Sequence, residues 1–592
     1  MRKFSFLSLL LIGGLQSATA QDIDILSGNR ISCRDGIQLS ATVYKPHSQT
    51  TPLPVIFFLT PYIADGGHKR ATYFAKHGFV FVCVDSRGRG SSEGVFDPFM
   101  QEAKDGYDIV EWLAKQPFSN GKIATWGGSY CGYDQWAIAK EFPPHLTTIL
   151  PVASVKPGTD FPAGYNIPYP YDIQWLTFTS GNTGNDNLFG DDSFWKSKLT
   201  ERYIKDLPFL SMDSLVGNPN KSFQKWTSHP LIDDYIKSFN PSPEQYAKMH
   251  YPILTITGDY DGDQPGALDF YRTFMQYAPA DAKGKHYLII GPWDHPGTRT
   301  PKKELGGLVF GDASLVDMND LHRQWYNYAM KDSALPAFLK NKVAYYVSNK
   351  DQWKYVATLD EIGKNKRRLY LNSNNIAAVS VLHSAWLQSS PATDSRPAQY
   401  TYDPLDKRSL DDSARPANPN YLLDQAAAFE LRDAGLVYHS EAFEKDQEVS
   451  GFFELEAYIE TDVKDVDLDA QVYEIKGDGS SVFLTENAVR ARYRESLEKE
   501  KLLVPGEIGL YRFDHFTFIS RVIEKGSRLR LIITSPNSIY SEKNYCSGGV
   551  VATETAKDAH VAHIKVYNDA KHPSVLLVPV MPQRAIDDGG HE

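Results

Sequence analysis

Hydrophobic and polar positions follow one pattern in roughly the first half of the chain. Residues 54–59, 79–84 and 286–290 are almost continuously apolar, which is typical of strands buried on both faces of a parallel sheet. Amphipathic segments that predict helices lie among these runs, near residues 70–76, 102–115, 267–275 and 318–331. This alternation of strand and helix predicts an α/β domain with a parallel sheet.

The pattern changes beyond about residue 335. Short alternating runs, such as residues 343–347, 451–459 and 528–534, are separated there by polar turns. Such runs without long helices predict an antiparallel β sandwich or jelly roll. The sequence therefore predicts two architectures in one chain.

An insertion interrupts the α/β pattern between residues 155 and 245. It is rich in Tyr, Trp, Phe, Asn and Asp, with Trp175 near its start. An aromatic insertion between two strands fits either a cap over an active site or a structural subdomain with ordinary aromatic packing. We divide the chain into an α/β-domain first part (21–154), a helical cap (155–245), an α/β-domain second part (246–335) and a C-terminal jelly-roll domain (336–592).

The N-terminal residues have the pattern of a cleavable signal peptide. Arg2 and Lys3 precede the apolar run 4–12, and Ala18-Thr19-Ala20 follows. The apolar run is too short to span a bilayer, and no cysteine follows the cleavage position for a lipid anchor. We expect residues 1–20 to be removed and the mature protein to be secreted or periplasmic, without a membrane anchor.

Composition restricts the class of partner. The 592 residues are 42% hydrophobic and 23% charged, and the formal net charge is −11. A net acidic surface argues against nucleic acid and anionic membranes, which leaves a small molecule or a short peptide. The four cysteines lack the spacing of a zinc site, and we expect no metal and no organic cofactor. A Cys33–Cys546 disulfide and a homo-oligomer stay open.

The stretch 123–139 predicts a nucleophile. An apolar strand leads into Gly127-Gly128-Ser129-Tyr130-Cys131-Gly132, and a helix follows. In the α/β-hydrolase fold, such a turn lifts a serine hydroxyl above the sheet, and the next backbone N–H faces the same point. Turns of this kind also occur by chance where strands meet helices, so the turn alone is weak evidence.

Acid and base candidates follow in the order that this fold requires. A serine hydroxyl needs a histidine to take its proton, and the histidine needs a carboxylate that fixes its tautomer. His295 follows the strand 286–290, and the loop after the strand 253–258 contains Asp259, Asp261 and Asp263. The pattern does not choose among these three aspartates. Asp294 also competes, although a neighbour of the histidine is poorly placed to bond its ring.

Several motifs together are similar to those of one known family. They are Arg34-Asp35-Gly36, Thr60-Pro61-Tyr62, the glycine- and serine-rich loop 85–94, Asp108 with Trp112, the turn 127–132, Gly258-Asp259-Tyr260-Asp261 and Gly291-Pro292-Trp293-Asp294-His295. The chain resembles the CocE/NonD serine hydrolases, a family that includes cocaine esterase, α-amino-acid ester hydrolases, glutaryl-7-ACA acylases and X-Pro dipeptidyl-peptidases. The resemblance covers nearly the whole mature chain. It implies an α/β-hydrolase domain with an inserted helical cap and a C-terminal jelly roll.

The resemblance also implies roles for individual residues. Ser129 would be the nucleophile, Asp261 the orienting acid and His295 the general base. The oxyanion hole would consist of the Tyr62 hydroxyl and the Tyr130 N–H.

Substrate-binding residues are less well defined. Asp263 stands where α-amino-acid ester hydrolases place a carboxylate for the substrate's α-ammonium group, but Gln264 departs from the acid expected next. Asp263 equally fits a helix cap. Trp175 and, as a guess, Asp172 are further candidates in the cap.

These observations lead to one main hypothesis and two alternatives. The main hypothesis is a secreted serine hydrolase that cleaves esters or amides through an acyl-enzyme, with small α-aminoacyl or peptide-like substrates. An X-Pro dipeptidyl-peptidase is the alternative within the enzyme class. A non-catalytic binding protein that keeps the hydrolase fold is the alternative from another class.

Overall fold

The computed structural model describes residues 22–228, 230–373, 376–392, 396–410 and 417–582. The signal peptide predicted for residues 1–20 lies outside the described residues. The strands up to residue 356 are β1 Ile23–Ser32, β2 Gln38–Pro46, β3 Leu53–Thr60, β4 Val80–Asp85, β5 Ser119–Thr125, β6 Gly127–Ser129, β7 Leu146–Thr148, β8 Pro151–Ser154, β9 Ala163–Gly164, β10 Ile167–Pro168, β11 Ile253–Tyr260, β12 His286–Asp294, β13 Glu304–Leu305, β14 Leu308–Val309, β15 Val343–Val347 and β16 Gln352–Val356.

The helices of the same part of the chain lie between these strands, with seven of them in succession between β10 and β11. They are α1 His68–Lys76, α2 Glu102–Ala114, α3 Tyr130–Ala139, α4 Tyr171–Phe178, α5 Thr183–Asp186, α6 Asp192–Ile204, α7 Met212–Leu215, α8 Lys221–Ser228, α9 Asp234–Phe239, α10 Pro243–Tyr246, α11 Gln264–Tyr277, α12 Ala280–Lys283 and α13 Met318–Lys331. No helix of the described residues combines the length and apolarity needed to cross a membrane.

A largely parallel sheet forms the centre of the α/β domain. Its halves have the orders β1-β2-β4-β3-β5-β7 and β6-β8-β11-β12-β15-β16. They meet where β5 runs into β6 across Trp126, and a parallel bridge from Ile149 to Ile253 links them again. The pairs β1·β2, β2·β4 and β15·β16 are antiparallel, and the other pairs of these two halves are parallel.

Burial on both faces explains the continuous apolar runs. In β4, Val80, Val82 and Val84 pack into one hydrophobic cluster, whereas Phe81 and Cys83 pack into the cluster on the opposite face. Successive side chains of a strand point to opposite faces, so both sets must be apolar. The parallel sheet predicted from the sequence is therefore confirmed.

Two predicted strands differ in the structure. Residues 146–152 form not one strand but β7 and β8, with a break at 149–150 where the chain passes between the two halves of the sheet. The run 343–347, assigned from its alternation to the C-terminal domain, is β15 of the α/β-domain sheet and pairs with β12. All five of its residues are buried, and a short run does not reveal from sequence which sheet it joins.

The insertion predicted as a cap contains β9, β10 and helices α4 to α10, between β8 and β11. Its aromatic residues Trp175 and Phe161 pack in the same hydrophobic cluster as Tyr130 and Tyr133 of α3. This packing places α4 directly beside the turn at Ser129.

The remaining chain is a β-rich domain with a 13-stranded, mostly antiparallel sheet. Its elements are β17 Asn365–Asn372, β18 Ala385–Gln388, β19 Ala398–Tyr402, α14 Ala426–Phe429, β20 Gly435–Ser440, β21 Gln447–Gly451, β22 Glu454–Thr461, β23 Asp467–Ile475, β24 Ser481–Arg490, β25 Gly509–Phe513, β26 Ile519–Ile523, β27 Arg528–Thr534, β28 Ala562–Tyr567 and β29 Val575–Val580. In β22 every second residue is buried, which agrees with the predicted alternation. The jelly-roll topology itself stays a prediction.

All four cysteines are buried and unbridged. Cys33 packs in the core of the α/β domain, whereas Cys546 packs in the separate core of the C-terminal domain. The disulfide that the sequence left open is therefore not formed.

Candidate active site

Ser129 lies at a strained turn between β6 and α3. Its φ is 64° and its ψ is −129°, a conformation that is unfavourable for a residue other than glycine. The glycines on either side allow the turn to close. A Cβ at Gly127 would lie 2.5 Å from the carbonyl oxygen of Cys131, and one at Gly132 would lie 2.9 Å from the Cα of Ser154. A larger residue at either glycine would clash, so the two glycines allow the tight turn that presents the Ser129 hydroxyl.

His295 and Asp261 meet at the carboxyl ends of β12 and β11. His295 Nδ1 lies 2.8 Å from Asp261 Oδ1. The Asp261 carboxylate also accepts hydrogen bonds from Thr257 Oγ1 at 3.0 Å and from the Asp263 N–H at 3.0 Å. Although burial by itself raises the pKa of Asp261, the charge and hydrogen bond of His295 hold that pKa below its ordinary value.

The other two candidates for this carboxylate are placed differently. Asp294 accepts a hydrogen bond from the Gly297 N–H at 2.7 Å, which closes the turn after β12. Asp259 is buried, and its carboxylate accepts a hydrogen bond from the Ser520 backbone. Among the loop aspartates, the geometry thus favours Asp261 as the partner of the imidazole.

Asp263 contacts both Ser129 and His295. The Ser129 hydroxyl donates a hydrogen bond to Asp263 Oδ2 at 3.3 Å, and the same oxygen lies 3.4 Å from His295 Nδ1. The sequence predicts a serine–histidine bond, but the described hydrogen bond of the hydroxyl goes to this carboxylate. The loop turns back after Asp261, and this brings the Asp263 carboxylate close to both Ser129 and His295.

Burial and the neighbouring Asp261 raise the pKa of Asp263 to about 6, against the opposing effect of His295. For His295, burial alone would lower the pKa, but Asp263 and Asp261 raise it above the ordinary value. The three groups therefore titrate as one coupled set. Their ligand atoms lie within 4.8 Å of one another, so they are also the residues of this site that could hold a metal ion.

The Tyr62 hydroxyl is oriented by the cap. Trp175 Nε1 donates a hydrogen bond to it at 2.9 Å, and burial raises the pKa of Tyr62 well above 10. The phenol therefore stays neutral and keeps its own proton for donation. Tyr62 and Ser129 line the same cavity.

The backbone N–H of Tyr130 begins α3, at the positive end of the helix dipole. The Tyr130 ring is anchored on its far side, because its hydroxyl donates to Glu102 and accepts from the Phe99 N–H at 2.7 Å. This anchor fixes the residue that carries the predicted second oxyanion donor.

A cavity of about 500 Å³ opens beside Ser129. Its wall is aromatic, with carboxylates at one side. Members of this lining are Tyr62, Phe161, Tyr165, Tyr169, Tyr171, Trp175, Asp160 and Asp263. A cavity of this size is large enough for a small acyl group or a dipeptide-sized ligand.

Asp160 is a cavity residue that the sequence did not reveal. Its carboxylate accepts hydrogen bonds from the Lys156 N–H at 2.7 Å and the Gly266 N–H at 2.6 Å. It belongs to no motif of the family resemblance, and its position after β8 is the signal that was available. By contrast, Asp172, the guess in the cap, is buried and is not among the residues that line the cavity, whereas Tyr171 and Trp175 of the same helix are.

Comparisons with known proteins identify the relatives of this chain. A family model described as X-Pro dipeptidyl-peptidase (S15 family) matches residues 35–297, and one described as X-Pro dipeptidyl-peptidase C-terminal non-catalytic domain matches residues 339–577. The chain is 24% identical over 579 residues to cocaine esterase of Rhodococcus sp. (strain MB1 Bresler), which covers 94% of this chain and 98% of the relative.

Solved structures share the fold. An α-amino-acid ester hydrolase superposes with a TM-score of 0.79 at 19% identity and covers 97% of this chain and 100% of its own. A CocE/NonD family hydrolase from Staphylococcus aureus superposes with a TM-score of 0.66 at 18% identity and covers 95% and 94% of the two chains. From the two family models, the full-length relative and the shared architecture, we conclude that the chain belongs to the CocE/NonD family of hydrolases.

Proposed function

We propose that the protein is a serine hydrolase that cleaves esters or amides through an acyl-enzyme on Ser129. The observation that carries the proposal is the pairing of His295 Nδ1 with Asp261 at 2.8 Å, beside a serine held at a strained turn in the wall of the same cavity. Asp261 fixes the histidine tautomer, so that the opposite ring nitrogen is free to accept a proton. The family supports hydrolysis of esters or X-Pro peptides.

The proposed reaction has an acylation stage and a deacylation stage. His295 takes the proton of Ser129 while the serine oxygen forms a bond to the substrate carbonyl carbon, and the carbonyl oxygen becomes an oxyanion. The Tyr130 N–H and the Tyr62 hydroxyl donate hydrogen bonds to that oxygen. The intermediate collapses when the bond to the leaving group breaks and His295 protonates the leaving group. Water then repeats the sequence and releases the acid.

Asp263 adds a substrate-dependent step to this proposal. In the free protein its carboxylate accepts the hydrogen bond of the Ser129 hydroxyl. An α-ammonium group bound to Asp263 competes for the same oxygen and frees the hydroxyl to turn toward His295. Asp160 lines the same cavity, but burial and the charge of Asp263 raise its pKa well above the ordinary value, so Asp263 is the charged partner in this proposal. We therefore propose small α-aminoacyl esters or amides as the preferred substrates.

The test of the hydrolase assignment is Ser129→Ala. We expect turnover of an activated aminoacyl ester to vanish while circular dichroism stays unchanged, and retained turnover would refute Ser129 as the nucleophile. Wild-type protein should also react with a fluorophosphonate probe at Ser129. Failure of this labelling, together with absent turnover, would favour a non-catalytic binding protein with this fold.

An X-Pro dipeptidyl-peptidase is the second candidate, because both family models carry that description. A Pro-linked dipeptide ester and an aminoacyl ester with the same leaving group separate the two. We expect the aminoacyl ester to have the higher kcat/KM, and a higher value for the dipeptide ester would favour the peptidase.

We further propose that the protein is secreted or periplasmic, because its N-terminal residues match a cleavable signal. Fractionation of expressing cells, with N-terminal sequencing of the mature protein, tests this. A start near residue 21 in the exported fraction is expected, and an uncleaved cytoplasmic product would contradict it.

A further inference from the structure

The glycine- and serine-rich loop 85–94 stands out in the sequence but has no place in the mechanism above. We propose that Asp85 and Arg89 of this loop are positioning residues that brace the segment around Tyr62 and hold its hydroxyl toward the oxyanion. The inference rests on the oxyanion role proposed for Tyr62. In this proposal the loop positions Tyr62 for catalysis and does not bind a ligand.

The segment around Tyr62 needs such support because it is strained. Ile63 has a φ of 71° and a ψ of 122°. A positive φ is a genuine outlier for a β-branched residue, and it persists only where surrounding contacts impose it. Tyr62 immediately precedes this residue, so the orientation of its ring depends on the same contacts.

Asp85 bonds to the C-terminal end of the segment around Tyr62. Its Oδ1 accepts a hydrogen bond from the Ala64 N–H at 2.7 Å, and its Oδ2 accepts one from the Ser91 N–H at 3.3 Å. The carboxylate is buried. The loop can fold over it only because residue 90 is glycine, since a Cβ there would lie 2.2 Å from Asp85 Oδ2. Asp85 thus ties the backbone just after Ile63 to the loop.

Arg89 bonds to the N-terminal end of the segment around Tyr62 and links that end to the cap. The side chain is 2% exposed, and its Nε donates to the Pro61 carbonyl at 2.6 Å. Its Nη2 donates to the Phe178 carbonyl at 3.3 Å and lies 3.7 Å from Asp186 Oδ1. One guanidinium group therefore joins the residue before Tyr62 to the last residue of α4.

The end of α4 is also the surface against which Tyr62 packs. The Phe178 ring stacks on the Tyr62 ring at 5.6 Å with an interplanar angle of 12°, and Trp175 of the same helix donates to the Tyr62 hydroxyl. Arg89 fixes the backbone on both sides of this stacked pair. A shift of α4 relative to Pro61 would move the hydroxyl, and small displacements of a catalytic group are costly in rate.

Arg87 provides a matched control within the same loop. Its side chain is 11% exposed, and it donates to Asp105 at 2.6 and 2.9 Å and to Asp35 at 2.6 Å. None of these contacts reaches the Tyr62 segment. Loss of Arg87 therefore tests the general cost of removing a buried arginine from this loop.

The experiment is a double-mutant cycle between Arg89→Met and Tyr62→Phe, read as kcat and KM for an activated aminoacyl ester. We expect Arg89→Met to lower kcat by about 10- to 100-fold with little change in KM, because an oxyanion donor is misplaced but not lost. In the Tyr62→Phe background the same change should lower kcat by less than about 3-fold, because Arg89 acts through Tyr62. Arg89→Lys, which keeps the charge and one donor, should recover part of the loss.

Controls keep the inference falsifiable. Arg87→Met should lower the Tm while kcat stays within about 3-fold of wild type, since it leaves the brace intact. Phe178→Leu removes the stacked ring without leaving a charge unpaired, and it should show the same dependence on Tyr62. If Arg89→Met does not fold, the cycle with Phe178→Leu and with Arg89→Lys decides the question.

Two results would contradict the positioning role proposed for Asp85 and Arg89. Equal losses of kcat from the Arg89 and Phe178 substitutions in both backgrounds would show that these residues act independently of Tyr62. An unchanged kcat in Tyr62→Phe would overturn both the brace and the oxyanion role of Tyr62. Neither result affects the assignment of Ser129, which Ser129→Ala tests separately.

Discussion

Replacement of Asp263 by asparagine should change substrate preference more than catalytic competence. The carboxylate lies 3.3 Å from Ser129 Oγ and 3.4 Å from His295 Nδ1, in the wall of the aromatic cavity. Asparagine keeps the shape and a hydrogen-bond acceptor but removes the charge. An α-ammonium group would then lose its charged partner, whereas a substrate without an amino group would lose nothing.

The expected magnitude follows from the kind of hydrogen bond that is lost. A bond between an ammonium and a carboxylate contributes about 1.5–3 kcal/mol, which is about 10- to 150-fold in kcat/KM for an aminoacyl ester. The hydrogen bond from Ser129 is long, and asparagine keeps an acceptor for it, so its weakening should change kcat/KM for the des-amino ester by only about 0.5–1 kcal/mol, or about 2- to 5-fold. The preference for the aminoacyl ester should therefore fall by at least about 10-fold.

The assay compares kcat/KM for an aminoacyl ester and its des-amino analogue at about pH 7, where Asp263 is largely ionised and an α-amino group is protonated. Asp172→Asn is the matched control, because Asp172 is buried but does not line the cavity. It should leave the ratio of the two values unchanged. Equal losses for both esters in Asp263→Asn would refute ammonium binding by this carboxylate.

Two other predictions concern pH and stability. Because Asp263 and Asp261 raise the pKa of His295, the base stays protonated to a higher pH, and the acid limb of kcat/KM should have its midpoint above the ordinary value of 6.5; a pH–rate profile with a midpoint below 6.5 would contradict the coupling. In the C-terminal domain, Arg490 is 2% exposed and pairs with Asp467 and Glu542 at 2.8 Å. Arg490→Met would leave both carboxylates unpaired and should lower the free energy of unfolding by about 3–5 kcal/mol in urea titrations without changing kcat; a loss below about 1 kcal/mol would show that the pair is not structurally important.

Most of the hydrolase sheet was predictable because its strands bury both faces. The runs that became the centres of β3, β4 and β12 are almost continuously apolar, which is typical of strands buried on both faces of a sheet. The break between β7 and β8 and the placement of β15 were not predictable, because both depend on which distant strand pairs with a short segment. Local pattern contains no information about that partner.

The residues of the candidate site were likewise predictable only in part. Order along the chain places Ser129, an aspartate and His295 after successive strands, since parallel strands present their carboxyl ends at one edge. The choice of Asp261 over Asp259 came from family resemblance and not from pattern. Asp160 and the bond between Ser129 and Asp263 depend on how the cap and the turn after β11 meet, which side-chain spacing in sequence does not encode.

The most direct test of the account is to trap the acyl group on the protein. Wild-type protein mixed with an activated aminoacyl ester, quenched rapidly in acid and digested, should yield a peptide that contains Ser129 with the mass of one added acyl group. Steady turnover with the acyl group on another residue, or with no covalent adduct under conditions in which deacylation is slow, would contradict Ser129 as the nucleophile.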